Sequence, residues 1–133
     1  MDLDEYKEMT ARREYIPGGS PAHELMHGMS AEAQKITSRI NCGYHTQEEL
    51  CELFSELIGK EVGEGFALFP PVYSDFGKNI TVGKNVFINS GCCFQDQGGV
   101  ELGDGTLVGH QVVFATLNHD LDPDRRAGMY PAL

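Results

Sequence analysis

Between Val62 and Phe114 the chain repeats itself every twenty residues. Val62, Val82 and Leu102 each precede a glycine, Gly63, Gly83 and Gly103. Six residues further on stand Leu68, Ile88 and Val108, and after another six Phe94 and Phe114 are again twenty apart. A self-similar period of this length marks a stacked-repeat architecture, in which each unit buries its apolar face only against its neighbours. Twenty is three hexads plus two surplus residues. Each hexad can form one short strand and a tight turn, so three hexads complete one coil of a triangular parallel β-solenoid. The two surplus residues must bulge from one corner, near Tyr73–Lys78 in one coil and Gln95–Gly99 in the next. A sheet of short antiparallel strands would show the same alternation within one hexad. It would not match Val82-Gly83-Lys84-Asn85-Val86 to Leu102-Gly103-Asp104-Gly105-Thr106 position by position.

Residues 1–60 differ in character and predict a helical cap. Asp2–Tyr15 is charged and helix-compatible, and Tyr15-Ile16-Pro17-Gly18-Gly19-Ser20 reads as a breaker cluster. Ser20-Pro21 looks like an N-cap with proline at the first helical position. His23–Ile40 is helical, with a possible interruption at Gly28 and Ser30 as a second cap. Thr46-Gln47-Glu48-Glu49 has the form of a capping box. Leu50, Leu53, Phe54, Leu57 and Ile58 then make one apolar stripe that Gly59 ends. A helix pair of this size buries little alone, so it should pack on the open end of the solenoid, where strand edges would otherwise be exposed. The expected organisation is residues 1–60 as helical cap and 61–133 as solenoid coils, with a loop over 115–130. Pro70-Pro71 fits a corner and cannot sit inside a paired strand.

Composition narrows the function. The formal charge is −10, which speaks against nucleic acid and against an anionic membrane surface, both of which require a basic face. The polar, acidic start MDLDEYKEMT is not a signal peptide, and no apolar run approaches the ~18 residues of a spanning helix. Cys42, Cys51, Cys92 and Cys93 lack zinc-like spacing and read as reduced thiols of a cytoplasmic protein. Cys92 falls at an inward position of its hexad, where a small apolar residue packs well.

The segment Thr116-Leu117-Asn118-His119-Asp120-Leu121-Asp122-Pro123-Asp124-Arg125-Arg126 leaves the ladder just after Phe114. A neutral imidazole is the side chain best matched to taking a proton near pH 7. Held at the end of a rigid strand, His119 could act as general base on a hydroxyl; taken alone it reads first as a solvated loop histidine. His110 lies in a turn and reads as an exposed or subunit-contact residue. His110 and His119 are nine apart and no third ligand has suitable spacing, so no metal is expected.

The ladder, the segment Val82–Asn89, and Asn118-His119 with Asp122-Pro123 and Arg125 resemble the hexapeptide-repeat O-acetyltransferases, in particular the maltose/galactoside acetyltransferases and the related nodulation acetyltransferases. Pro70-Pro71-Val72-Tyr73 followed by Phe76-Gly77 and Asn79-Ile80 is similar to that subgroup's entry into the helix. The resemblance implies a left-handed parallel β-helix, a homotrimer with sites between neighbouring subunits, acetyl-CoA as acyl donor and a small-molecule sugar as acceptor. It gives His119 the role of catalytic base, with Asn89 contacting the acceptor near the reacting group and Asp75 a small polar substrate contact. Phe87 takes a position often held by an aromatic, and Leu107 and Met129 form pocket walls. Asp96 or Gln97 contacts sugar hydroxyls, the register leaving both open. Where the family carries an acidic residue near Tyr15 and a basic one a turn after Leu25, this chain has Gly18-Gly19-Ser20 and Met29.

The resemblance also implies further coils beyond Tyr130, with CoA-binding turns and an oxyanion-stabilising amide, so the chain reads as C-terminally truncated relative to the family. Two other readings follow: a non-catalytic trimeric scaffold or degenerate paralogue, and, more remotely, a metal-dependent β-helix enzyme.

Overall fold

The computed structural model describes residues 1–131, the last three by backbone alone. The chain begins with helix α1 (Leu3–Ala11), strand β1 (Tyr15–Pro17) and helices α2 (Pro21–Asn41) and α3 (Gln47–Ile58). The first coil is β2 (Ala67–Leu68), β3 (Val72–Ser74) and β4 (Ile80–Val82). The second is β5 (Phe87–Ile88), β6 (Cys92–Gln95) and β7 (Val100–Leu102). A third starts with β8 (Leu107–Val108) and β9 (Val113–Ala115), and a short helix α4 (Pro123–Arg126) and strand β10 (Met129–Pro131) follow.

Every pairing in the ladder is parallel and offset by one twenty-residue period. Leu68 pairs with Ile88 and Ile88 with Val108; Ser74 with Phe94 and Phe94 with Phe114; Val82 with Leu102. The sheets β2–β5–β8, β3–β6–β9 and β4–β7 are the three faces of the prism, and the fold is the expected left-handed parallel β-helix preceded by helices. Inward residues stack on their own counterparts: the Phe94 and Phe114 rings lie 4.7 Å apart at 18°. The coils approach so closely at one corner that a β-carbon on Gly63 would fall 2.1 Å from the Gly83 carbonyl oxygen.

The first coil has no coil before it, so its backbone edge needs other partners. Two side-chain amides supply them. Asn41 Nδ2 donates to the Val72 carbonyl and its Oδ1 accepts from the Val72 N–H, both at 2.9 Å. Gln47 Nε2 donates to the Leu68 carbonyl at 2.9 Å and its Oε1 accepts from the Leu68 N–H at 3.1 Å. Each amide takes the place of one strand residue. Between them Phe54 of α3 plugs the prism, stacked on Phe66 at 5.0 Å and edge-on to Phe94 at 6.5 Å. Ala33, Ile36, Ile40, Leu50, Leu57 and Ile58 join it in one core with the inward residues of the coils. The helices thus cover the open end, as the sequence predicts.

The caps are those expected. The Ser20 hydroxyl accepts from the His23 N–H and Thr46 Oγ1 from the Glu49 N–H, and Gly59 closes α3 at φ 74°. The Glu49 carboxylate turns to the Thr46 hydroxyl and the His45 ring rather than completing the box through the backbone alone. Two expectations are corrected. α2 runs unbroken through Gly28, because burial of Ala22 on one side and Ala33, Ile36 and Ile40 on the other outweighs the ~1 kcal/mol cost of a helical glycine. Tyr15–Pro17 is a strand rather than a breaker, since it pairs antiparallel with β10 at the far end of the chain.

The two surplus residues of each period lie between Ser74 and Val82 and between Phe94 and Leu102, at the expected corner. There Asp96 is fully buried and ties two coils together. Its Oδ1 accepts from the Ser74 hydroxyl at 2.8 Å and the Phe76 N–H at 3.0 Å, and Oδ2 from the Asn79 N–H at 3.4 Å. Burial pushes the Asp96 carboxyl above its usual range, while the Gly77 N–H and these donors pull it back. Phe76, held by this tie, stacks on Tyr6 of α1 at 4.8 Å.

Two outcomes follow. Asn41→Leu leaves the Val72 N–H and carbonyl without their partner and should lower stability by ~2 kcal/mol in chemical denaturation, with the helical signal in circular dichroism retained at zero denaturant. Asp96→Asn keeps the shape but turns an amide NH2 toward backbone N–H donors; it should cost ~1–3 kcal/mol despite removing a buried charge.

Candidate active site

The bulged corner presents one side chain outward where it buries its neighbour. Asp96 faces inward, and Gln97 and Asp75 lie at the surface of the same corner. Of the pair left open by the sequence, Gln97 is the one that is partly exposed. Partial desolvation holds the Asp75 carboxyl above the usual carboxylate range, opposed by a hydrogen bond from the Gln97 side chain. With its amide so engaged, Gln97 leaves its own Oε1 buried and without a hydrogen-bond partner.

Helix α2 passes this corner. His23, Met26, His27 and Ser30 of α2 and Gln97 line a cleft of about 200 Å³. The cleft was not foreseen. Its sequence signal is the i, i+4 spacing of His23 and His27, which puts both rings on one helix face; nothing local in the sequence connects that face to Gln97.

A second group of expected site residues lies on a different face. Phe87 and Leu107 are register partners on the outer side of β2–β5–β8, and Leu107 is 77% exposed. Phe69 packs edge-on against Phe87 at 5.1 Å. Asn89 follows Ile88 at the next corner, where its N–H donates to the Val108 carbonyl and its Oδ1 accepts from the Ser90 N–H. A prism turns its faces apart, so one copy of the chain does not bring Phe87 and Leu107 to Asp75 and Gln97.

The His119 segment leaves the ladder at the bulged corner. The Gly98 N–H donates to Thr116 Oγ1 at 2.8 Å and the Leu117 N–H to Gln95 Oε1 at 3.1 Å. His119 is exposed, and its N–H donates to Asn118 Oδ1 at 2.9 Å. The loop beyond is braced from within. Asp122 caps α4 by accepting from the Asp124 N–H. Arg126 donates to the Asp120 and Leu121 carbonyls at 2.9 and 2.8 Å, and Arg125 pairs with Asp120 at 3.5 Å. The Arg125 guanidinium also lies 5.8 Å from the Tyr15 ring. The arm then returns to the N-terminal segment: the Gly18 N–H donates to the Gly128 carbonyl, and β10 pairs with β1. Met129 opens β10, its side chain lying outside the described part of the structure.

Cys92 is buried and its Sγ donates to the Asn89 and Gly109 carbonyls at 3.1 and 3.2 Å, the packing role expected of it. Among the described residues no three His, Cys, Asp or Glu side chains are grouped to hold a metal ion. No helix among them is long and apolar enough to cross a membrane.

No family model matches the chain. Among characterised relatives, nodulation protein L of Rhizobium meliloti is 39% identical over 66 residues, covering 50% of this chain and 36% of its own length. The galactoside O-acetyltransferase of Lactococcus lactis is 27% identical over 126 residues, 93% of this chain and 58% of its own. The chain thus spans about a third to three fifths of the length of these relatives. Among solved structures, a maltose O-acetyltransferase from Clostridium difficile superposes with a TM-score of 0.82 at 25% identity, covering 96% of this chain and 67% of that one. A hexapeptide-repeat acetyltransferase from Vibrio cholerae, solved with acetyl coenzyme A, does so at 0.78 and 29% identity, over 96% and 67%. In its sequence repeat and in its fold, the chain is similar to hexapeptide-repeat acetyltransferases, proteins named as maltose and galactoside O-acetyltransferases among them.

Proposed function

We propose that the chain carries the acceptor-binding corner and the catalytic base of an acetyl-CoA-dependent O-acetyltransferase that acts on a sugar hydroxyl. The observation that carries this reading is the exit of the His119 arm at the corner that bears Asp75 and Gln97, one coil above Gln97 and two above Asp75, with the Gly98–Thr116 and Leu117–Gln95 hydrogen bonds holding it there. Base and hydrogen-bonding groups so share one rigid edge of the prism. The chain's likeness to proteins named as maltose and galactoside acetyltransferases supports a sugar as acceptor.

In this reaction the His119 imidazole takes the proton of the attacking hydroxyl. The hydroxyl oxygen forms the new ester bond to the acetyl carbonyl, the carbon–sulfur bond of acetyl-CoA breaks, and the imidazolium returns the proton to the departing sulfur. The thioester is already activated, so no nucleophilic side chain is needed. Cys92, packed and hydrogen-bonded inside the prism, is unsuited to that role. What the enzyme contributes is position and a proton acceptor. Asp75 and Gln97 orient the acceptor, and Asp96 fixes the corner that carries them. The donor's own contacts are not assigned to residues of this chain.

Phe87, Leu107 and Asn89 enter this site from a neighbouring copy. Outward-facing Phe69, Phe87 and Leu107 on one face and Tyr73 and Val113 on the next form an apolar surface of the kind that marks an interface, whereas the third face shows Thr81 and Glu101. A closed ring of three prisms would bring that surface to the partner's bulged corner, and the working form is a homotrimer. All four cysteines are free thiols, which suits the cytoplasm.

His119→Ala should reduce acetyl transfer from acetyl-CoA to a neutral sugar by about 10²–10⁴-fold with an unchanged circular dichroism spectrum; equal turnover by both proteins would remove His119 as the base. Native mass spectrometry should report three copies. Leu107→Glu should shift the protein to monomer and lower transfer in parallel, without loss of secondary structure.

A further inference from the structure

His45 stands in the connection between α2 and α3 with an oxygen at each ring nitrogen. Nε2 lies 2.8 Å from the Arg39 carbonyl oxygen, and Nδ1 lies 3.2 Å from Glu49 Oε2. A carbonyl and a carboxylate have no proton to give, so both ring nitrogens must donate. Only the imidazolium does that. A neutral ring leaves one of the two oxygens facing a nitrogen lone pair. The Glu49 carboxylate is fixed from its other side by the Thr46 hydroxyl, which donates to Oε1 at 3.2 Å. Arg39 lies in the last turn of α2, where carbonyls have no helical N–H to accept from and a cation is favoured. The ring thus joins the negative end of one helix to a carboxylate in the first turn of the next.

The surroundings favour the charged ring. Its hydrogen bond to Glu49 raises the His45 pKa most, followed by the Arg39 carbonyl, against partial desolvation. The same bond to His45, with the Thr46 hydroxyl, holds the Glu49 carboxyl below its usual range. Two clefts meet at the ring. Among the described residues, the titratable groups that line them are Arg39, Cys42, Tyr44, Glu49, Glu52 and Glu56. Arg39 is paired with Glu56 at 2.8 Å, so the excess charge around His45 is negative. From the first coil come Phe69, Pro70, Pro71 and Ser90, none of which titrates.

The connection that His45 fastens is flanked by the two amides that finish the solenoid. Asn41 closes α2 and Gln47 opens α3, and they accept from the Val72 and Leu68 N–H groups. We propose that His45 is a pH-operated latch of the end cap. Protonated, it joins the α2 carbonyl to Glu49 of α3; on losing a proton it frees one of them and loosens the hold of Asn41 and Gln47 on the first coil. This goes beyond the transferase reading and does not depend on it. A histidine raised in the folded state stabilises fully below its unfolded value of about 6.5, and that contribution is lost as pH rises through the folded value. Glu49, lowered in the folded state, contributes fully above its unfolded value of about 4.3. The latch is therefore closed in mildly acidic solution and opens toward alkaline pH.

The test follows the His45 ring by ¹⁵N NMR, and the Val72 and Leu68 amides by hydrogen exchange, from about pH 5 to about pH 9. Both ring nitrogens should carry protons at about pH 6. Protection factors, which remove the intrinsic pH dependence of exchange, should fall about two- to tenfold as the ring titrates. Glu49→Gln should move both transitions to lower pH together. His45→Gln keeps a donor for the Arg39 carbonyl and has nothing to titrate, so it should lack that fall. The other histidines titrate in both proteins and cancel in the comparison. A His45 pKa at or below its ordinary value, protection that does not change as the ring titrates, a transition unmoved by Glu49→Gln, or the same loss of protection in His45→Gln would each overturn the proposal.

Discussion

The structure depends on one constraint: in a parallel ladder each inward side chain must lie on its counterpart one coil away. Leu68, Ile88 and Val108 form one such column, and Ser74, Phe94 and Phe114 another. A strand shifted by a single residue would turn its apolar column to solvent, so the period cannot drift. All irregularity is therefore pushed to the corners. Two surplus residues per coil gather at one of them, and Asp96 binds that bulge from inside through the Ser74 hydroxyl and backbone N–H groups. A rigid, bulged corner is what a positioning site needs, and it is where Asp75, Gln97 and the root of the His119 arm are found.

A solenoid must also finish its ends. At the first coil α2 and α3 do this with side-chain amides rather than with another strand. Asn41 and Gln47 satisfy the exposed backbone of Val72 and Leu68, while Phe54 fills the axis. The same packing brings α2 alongside the bulged corner. Closure of the fold and construction of the His23–His27 cleft are thus consequences of one docking event.

The chain is strongly acidic, and among the described residues the cleft beside Gln97 is lined by His23, Met26, His27 and Ser30. Of the corner's two carboxylates, Asp96 is buried against the Ser74 hydroxyl and backbone N–H groups, whereas Asp75 is exposed and accepts from the Gln97 side chain. Where the resemblance places an acidic residue near Tyr15 and a basic one a turn after Leu25, this chain has Gly18-Gly19-Ser20 and Met29.

The repeat, its strand faces, the bulged corner, the caps at Ser20 and Thr46 and the stop at Gly59 were all legible in the residues themselves. Each depends on spacing or on a side chain meeting its own near backbone, and such relations survive in a linear string. The tertiary structure alone decided the rest. Tyr15–Pro17 reads as a turn until β10 arrives from the other end of the chain to pair with it. Gly28 reads as a break until the core on either side holds the helix through it. Asp96 and Gln97 are adjacent and alike on paper; only the approach of the preceding coil's N–H groups draws one inward and leaves the other facing α2. The spacing of His23 and His27 puts both rings on one helix face, but the cleft they line exists only once Gln97 stands across from them. Partners distant along the chain leave no periodic trace in it, and their contacts exist only once the coils and helices have packed.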